Sequence, residues 1–130
     1  MSTPLPEYVE KAVAAALEAS PDVSALCAGR VYPLKLPQGA LFPAVVYRRT
    51  QSAPHQTLAG YTGETVTVTV NSYAMTYEEV KALALAARRV MASAPLGAVL
   101  STERDVSEDG VDAFCVSAEY LCQQYGGFCK

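Results

Sequence analysis

Histidine occurs once, at His55, tryptophan is absent, and no apolar run reaches the roughly 18 residues that a membrane-spanning helix requires. Each scarcity closes a class of function. Imidazole-rich metal or hydrolytic sites have a single histidine to draw on, and a transmembrane helix has no segment from which to form. Cations are sparse too: ten Lys and Arg stand against thirteen Asp and Glu, and only Arg48-Arg49 and Arg88-Arg89 are adjacent. A nucleic-acid surface needs clustered cations to neutralise phosphates, so nucleic-acid binding is not expected. The two Arg pairs read as solvated or interfacial side chains. The stretch Met1-Ser2-Thr3-Pro4-Leu5-Pro6-Glu7 lacks the basic start and apolar core of a signal peptide, so the chain is expected to stay in the cytosol.

What is present describes one folded domain. Of 130 residues, 51% are hydrophobic and 18% charged, a globular balance, and a chain of this length buries roughly two-thirds of its unfolded surface. The four cysteines, Cys27, Cys115, Cys122 and Cys129, read as reduced thiols in a reducing compartment. The last three recur every seven residues, unlike the closer spacing of zinc knuckles, and Cys115 and Cys122 on one strand would face opposite ways.

Apolar periodicity supplies the elements. Leu5, Val9, Val13, Ala16 and Leu17 step by threes and fours, predicting an amphipathic helix over 5–19, with a further helical turn over 22–28 ended by Gly29. Val31-Tyr32 is a short extended piece, and Pro33 to Leu41 is a loop by its prolines and glycine. After Pro43, residues 44–50 read as a strand. Residues 51–62 are polar and read as a long connection. Val66, Val68 and Val70 alternate with Thr65, Thr67 and Thr69, a strand with one core face. Thr76-Tyr77-Glu78-Glu79 is a capping box opening a helix with Tyr77, Val80, Leu83, Ala84, Ala87, Val90 and Met91 on its buried side, terminated at Pro95. A hairpin of 98–105 and 112–124 closes the chain, with Phe114, Val116, Ala118 and Tyr120 on one face. The expected fold is α+β: a mainly antiparallel sheet of four to five strands with two helices packed on it. Residues 1–130 form one domain and 123–130 its C-terminal tail.

No constellation of reactive groups emerges. His55 has Ser52 and Thr57 nearby but no glycine-flanked serine elbow, and a Cys115–His55 dyad competes with the simpler reading of a strand thiol as a small apolar group. Glu78-Glu79 complements a helix N-terminus, and Glu108-Asp109 belongs to a turn. No catalytic residue, metal ligand or cofactor site is assigned. The remaining candidates suit contact: Tyr61, Tyr73, Tyr125 and Phe128 at strand ends or in loops, with Pro54, His55, Gln56, Thr57, Leu58 and Tyr61 in one long connection and Leu36, Pro37 and Gln38 in the other.

Three segments in order, Gly29-Arg30-Val31-Tyr32-Pro33 with Leu36-Pro37-Gln38-Gly39, Phe42-Pro43-Ala44-Val45-Val46-Tyr47, and Val66 to Ala74 followed by Thr76-Tyr77-Glu78-Glu79, resemble the phage tail-completion family related to tail terminators. The likeness spans roughly residues 5–93. It implies a structural virion subunit, without cofactor or membrane contact, assembled in the bacterial cytoplasm as a ring, usually a hexamer, at the head-proximal end of the tail tube. There it would stop tube growth and meet the head connector, with DNA passing through the lumen unbound. Phages and gene transfer agents both use such parts. The competing readings are a head–tail adaptor or minor tail protein of the same particle, and a small cytosolic enzyme or ligand-binding domain.

Overall fold

The computed structural model describes residues 9–57, 60–93, 98–107 and 113–125, with side chains described except for 55–64 and 123–125. Two helices come first. Val9–Ala19 (α1) buries Val9, Val13 and Leu17, one residue per turn, and Pro21–Cys27 (α2) buries Val23 and Cys27. Ser20 separates them and caps the second: its Oγ accepts from the Val23 amide at 3.4 Å, and Pro21 occupies a first-turn position where its missing N–H costs nothing. The helical turn expected over 22–28 is therefore a capped helix, so among the described residues three helices, not two, accompany the sheet. The left-handed position that ends it is taken by Ala28 (φ 53°), whose N–H reaches Ser24 O, before Gly29 continues at φ 77°.

The strands are Val31–Pro33 (β1), Ala44–Thr57 (β2), Gly60–Ala74 (β3), Val99–Val106 (β4) and Phe114–Tyr125 (β5), and the third helix is Tyr77–Ala92 (α3). They form one sheet in the order β1-β2-β3-β5-β4. Every pairing is antiparallel except the short β1–β2 pair, which is parallel. The α+β class and the mainly antiparallel sheet agree with the sequence reading.

The 51–62 connection does not. Residues 51–57 continue β2 and 60–62 belong to β3, paired from Gln51–Thr67 out to Thr57–Gly60 in one long hairpin. Ladder pairing with β3 makes this a strand although the sequence Gln51-Ser52-Ala53-Pro54-His55-Gln56-Thr57 has no apolar alternation, which is why its composition reads as a loop.

One face of the sheet carries the helices. Val45, Val66, Val68, Val70, Ala118, Tyr120 and Cys122 pack there with Val13, Leu17, Val23, Leu83, Ala87 and Met91 in the main core. On the helix-free face a smaller cluster joins Val46, Tyr73 and Cys115, covered by Tyr32, Leu36, Phe42 and Val106. Cys115 and Cys122 thus do face opposite ways. Tyr73, expected as an exposed contact aromatic, is buried at 3% exposure beneath the 34–43 loop, its ring 6.1 Å from that of Phe42. Phe114 and Tyr77, expected in the buried stripes, are about half exposed and stack edge-on at 5.9 Å where β5 and α3 begin.

Thr76 caps α3 as the spacing predicts, its Oγ1 accepting from the Glu79 amide at 3.2 Å. The reciprocal contact differs: the Thr76 hydroxyl itself donates to Glu79 Oε1 at 3.1 Å. Pro95 lies outside the described residues.

Candidate assembly surface

The hairpin of β2 and β3 outgrows the core. Its last core residues are Val45, with Tyr47 packed alongside, on β2 and Val66 on β3. Beyond them Gln51, Ser52, Ala53 and Pro54 are all exposed. The outer half of the hairpin therefore owes its shape to strand pairing with β3, and through β3 to β5, whose Gln123, Gln124 and Tyr125 lie opposite Thr65, Glu64 and Gly63. A projection built this way is an arm that presents the exposed Gln51 to Pro54 at its base.

The hairpin's root is anchored. Arg49 donates to Glu10 Oε1 of α1 at 2.8 Å and to Ser52 Oγ at 2.9 Å. Arg30 Nε donates to Pro43 O at 2.8 Å and the Val45 amide to Arg30 O at 2.9 Å, fixing where β1 and β2 start. Between α1 and the β1–β2 side of the sheet runs an open groove of about 650 Å³, lined by Ala14, Ala15, Pro33, Leu34 and Tyr47 with Glu10, Lys11, Arg48 and Arg49 at its polar parts. Leu34 stands 64% exposed at its rim.

At the opposite edge, side chains of α3 hold β4. Asp105 Oδ1 takes Lys81 Nζ at 2.7 Å and Oδ2 takes Tyr77 Oη at 2.8 Å. Arg88 pairs with Glu103 about two helical turns further along. These bonds keep the edge strand in place with little apolar burial of its own, since Val99 is 62% exposed.

Of the contact residues proposed from sequence, Pro54, His55, Gln56 and Thr57 lie on β2 and Tyr61 on β3, near the hairpin tip; Leu58 lies outside the described residues. Leu36, Pro37 and Gln38 are in a loop as expected, Pro37 and Gln38 exposed and Leu36 half-buried against Tyr73 and Cys115. The two sets occupy opposite ends of β2, so the structure does not bring them together. Missed by sequence reasoning were the exposed apolar residues Met75, Tyr77 and Phe114 at the end of the sheet remote from the tip. The periodicity of Tyr77 and Phe114 reads as core, and Met75 falls in no periodic segment; the termination of the strands there leaves all three uncovered.

The register also separates the one conceivable dyad. His55 lies opposite Gly63 and Cys115 opposite Tyr73, ten residues along the same strand and so roughly 33 Å apart. Cys122 is a core thiol whose burial, with the Glu10 carboxylate adding to the effect, pushes its pKa up to about 11, the reverse of what a nucleophile needs. Among the described residues no three His, Cys, Asp or Glu side chains group as metal ligands.

The family model for "Tail completion protein gp17" matches residues 11–117. The chain belongs to this tail-completion family. It is a structural protein of a phage-type tail. Its fold is similar to that of a chain in a solved structure described as "Virion of native gene transfer agent (GTA) particle", with a TM-score of 0.72 and 17% identity over 88% of this chain and 92% of that one. No curated protein matches the sequence.

Proposed function

We propose that this tail-completion protein is a ring subunit at the head-proximal end of the tail tube, where it stops tube polymerisation and joins the tail to the head connector. The observation that carries this reading is the arm: a hairpin extended beyond its own core, attached to a sheet whose two edges differ. A subunit with unlike edges associates head to tail, and such contacts close into a ring with two non-equivalent faces. One face matches the end of the tube and the other accepts no further tube subunit, so growth ends there. The contact residues assigned on this reading are Pro54, His55, Gln56, Thr57, Leu58 and Tyr61 at the hairpin and Leu36, Pro37 and Gln38 at the far end.

The helix-free face of the sheet suits the bore of such a ring. Thr67, Ser117 and Glu119 lie half-buried on it with the exposed Arg48 and Arg104, beside the exposed apolar pair Val99 and Leu121, so charges of both signs are interspersed and give a passing DNA no continuous cationic track. A gene transfer agent or a phage would use the part in the same way.

Electron microscopy of particles assembled without the gene tests the assignment. Overlong tails are the expected result. Tubes of normal length detached from their heads would instead make the chain an adaptor.

A further inference from the structure

The sheet has an unfilled column. β1 covers β2 only at Val45, Val46 and Tyr47, and the Leu34 amide caps that column by donating to Tyr47 O at 2.8 Å. From Gln51 to Thr57 no described strand lies on that side of β2. At the other edge, β4 pairs among the described residues only with β5, and no described strand lies on its outer side over Val99–Val106. Open ladders of this kind are templates for another strand.

We propose that the outer edge of β4 in one copy pairs antiparallel with the Gln51–Thr57 edge of β2 in the next, joining the sheets into one continuous ring. This rests on the ring reading above. Direction, face and register each constrain it. β2 and β5 run one way and β3 and β4 the other, so copies related by rotation about an axis along the strands bring β4 to β2 antiparallel, continuing the alternation within the subunit.

The face requirement then selects the register. Within one copy, Val106 is level with Cys115, Tyr73 and Ala44. A neighbour's β4 must be displaced along β2 by an even number of residues, because an odd shift turns its helix-side residues to the helix-free face. A shift of four puts Val106 opposite Arg48, against the column already closed by β1 and Leu34. A shift of eight overruns the end of β2. A shift of six places Val106 opposite Gln51 and Arg104 opposite Ala53, both pairs on the helix-free face, and uses the open edge to its end.

That shift is also what closure needs. Six residues are roughly 20 Å along the strand, and the four strands β2-β3-β5-β4 span roughly 19 Å across, which tilts the strands by roughly 45°, at the upper end of the range for closed barrels. Register irregularities lie beside the joint on both strands, between Arg49 and Gln51, between His55 and Gln56, and between Leu100 and Thr102. Bulges at such places add the twist that bends a sheet round. Pro54 fits an edge of limited reach, since it withdraws one donor from the ladder.

Cysteine cross-linking in assembled particles tests the joint, in a background with Cys129→Ser; the other three cysteines are buried. The double variant Ala53→Cys/Arg104→Cys should give, on non-reducing gels, a ladder of dimers, trimers and higher species, and each single variant should remain monomeric. Ala53→Cys/Thr102→Cys, which demands a four-residue shift, should cross-link at least tenfold more slowly. A single variant that dimerises as fast as the double would mean two-fold edge pairing and overturn the proposal. So would particles that incorporate both double variants and yield only monomer, or that cross-link faster through Thr102. If deletion of the gene leaves tail length normal while the ladder forms, the terminator reading fails and the edge pairing stands.

Discussion

Lys81 Nζ lies 2.7 Å from Asp105 Oδ1, tying the first turns of α3 to the edge strand β4. With Lys81 also 4.9 Å above the Tyr77 ring and Tyr77 Oη bonded to the same carboxylate, three side chains make one exposed cluster. Hydrogen bonds from Lys81 and then Tyr77 hold the Asp105 pKa below the ordinary aspartate value, and the bond to Asp105, then that to Tyr77, raises the Lys81 pKa. The depressed carboxyl stabilises the fold above its unfolded-state pKa and loses that contribution as pH falls through the folded value. The raised ammonium contributes below its unfolded-state pKa and loses it as pH rises through its own folded value. Both contributions are complete at neutral pH, and exposure with salt screening keeps them small. Following the Asp105 carboxyl carbon by NMR should give a midpoint below that of a free aspartate, moved back up by Lys81→Met. An ordinary midpoint in the unaltered protein would contradict the cluster.

Tyr120 poses the opposite situation inside the core. Its side chain is 1% exposed, and burial, reinforced by the Glu103 carboxylate and opposed by Arg88, pushes its pKa up to about 12. The hydroxyl and the Arg88 Nε are both buried without a hydrogen-bond partner among the described residues. An unsatisfied buried hydroxyl adds desolvation cost without return, so Tyr120→Phe should be neutral or stabilising by up to about 1 kcal/mol, whereas Tyr120→Ala should cost about 3–5 kcal/mol through the cavity. Arg88→Met leaves the largely covered Glu103 carboxylate unpaired and should cost about 1–2 kcal/mol. Urea unfolding of the three variants separates these outcomes, and a Tyr120→Phe protein less stable than Arg88→Met would place a hydrogen bond where the structure has none.

Val66, Val68 and Val70 alternate, Val9, Val13 and Leu17 recur each turn, and Thr76 stands three residues before Glu79, so core strand, helix and cap are written in local spacing. Nothing local marks Tyr73 as buried: the 34–43 loop reaches it from thirty residues away through Phe42 and Leu36. Nor does anything local mark 51–57 as strand: Gln51 to Pro54 are exposed on both faces, and residues with no face to bury have no reason to alternate. Pro37, Gln38 and Pro54 were legible as exposed; that Pro54 rides on a long strand ladder was not. The sheet edges, which the assembly proposal uses, are a property of strand order, and strand order follows from which faces bury each other and not from any one segment.

If the outer hairpin serves assembly and not stability, the two can be separated. Ala53 and Thr65 lie opposite each other, so an Asn-Gly pair replacing residues 54–64 closes the hairpin with a tight two-residue turn. The main core keeps Val66, Val68 and Val70, and the lost pairs are ladder bonds beyond that core. Thermal unfolding should then report a loss of about 1 kcal/mol or less, within the range of surface changes. The shortened chain, however, keeps only Gln51 to Ala53 of the edge against which a neighbour's β4 would lie, too short a ladder to hold it. Particles assembled with it should retain none of the protein after sedimentation, and their tails should match in length those made without the gene. A shortened chain that is retained at the normal amount, on tails of normal length, would move the assembly surface away from the arm and toward the Leu36 to Gln38 end of the sheet.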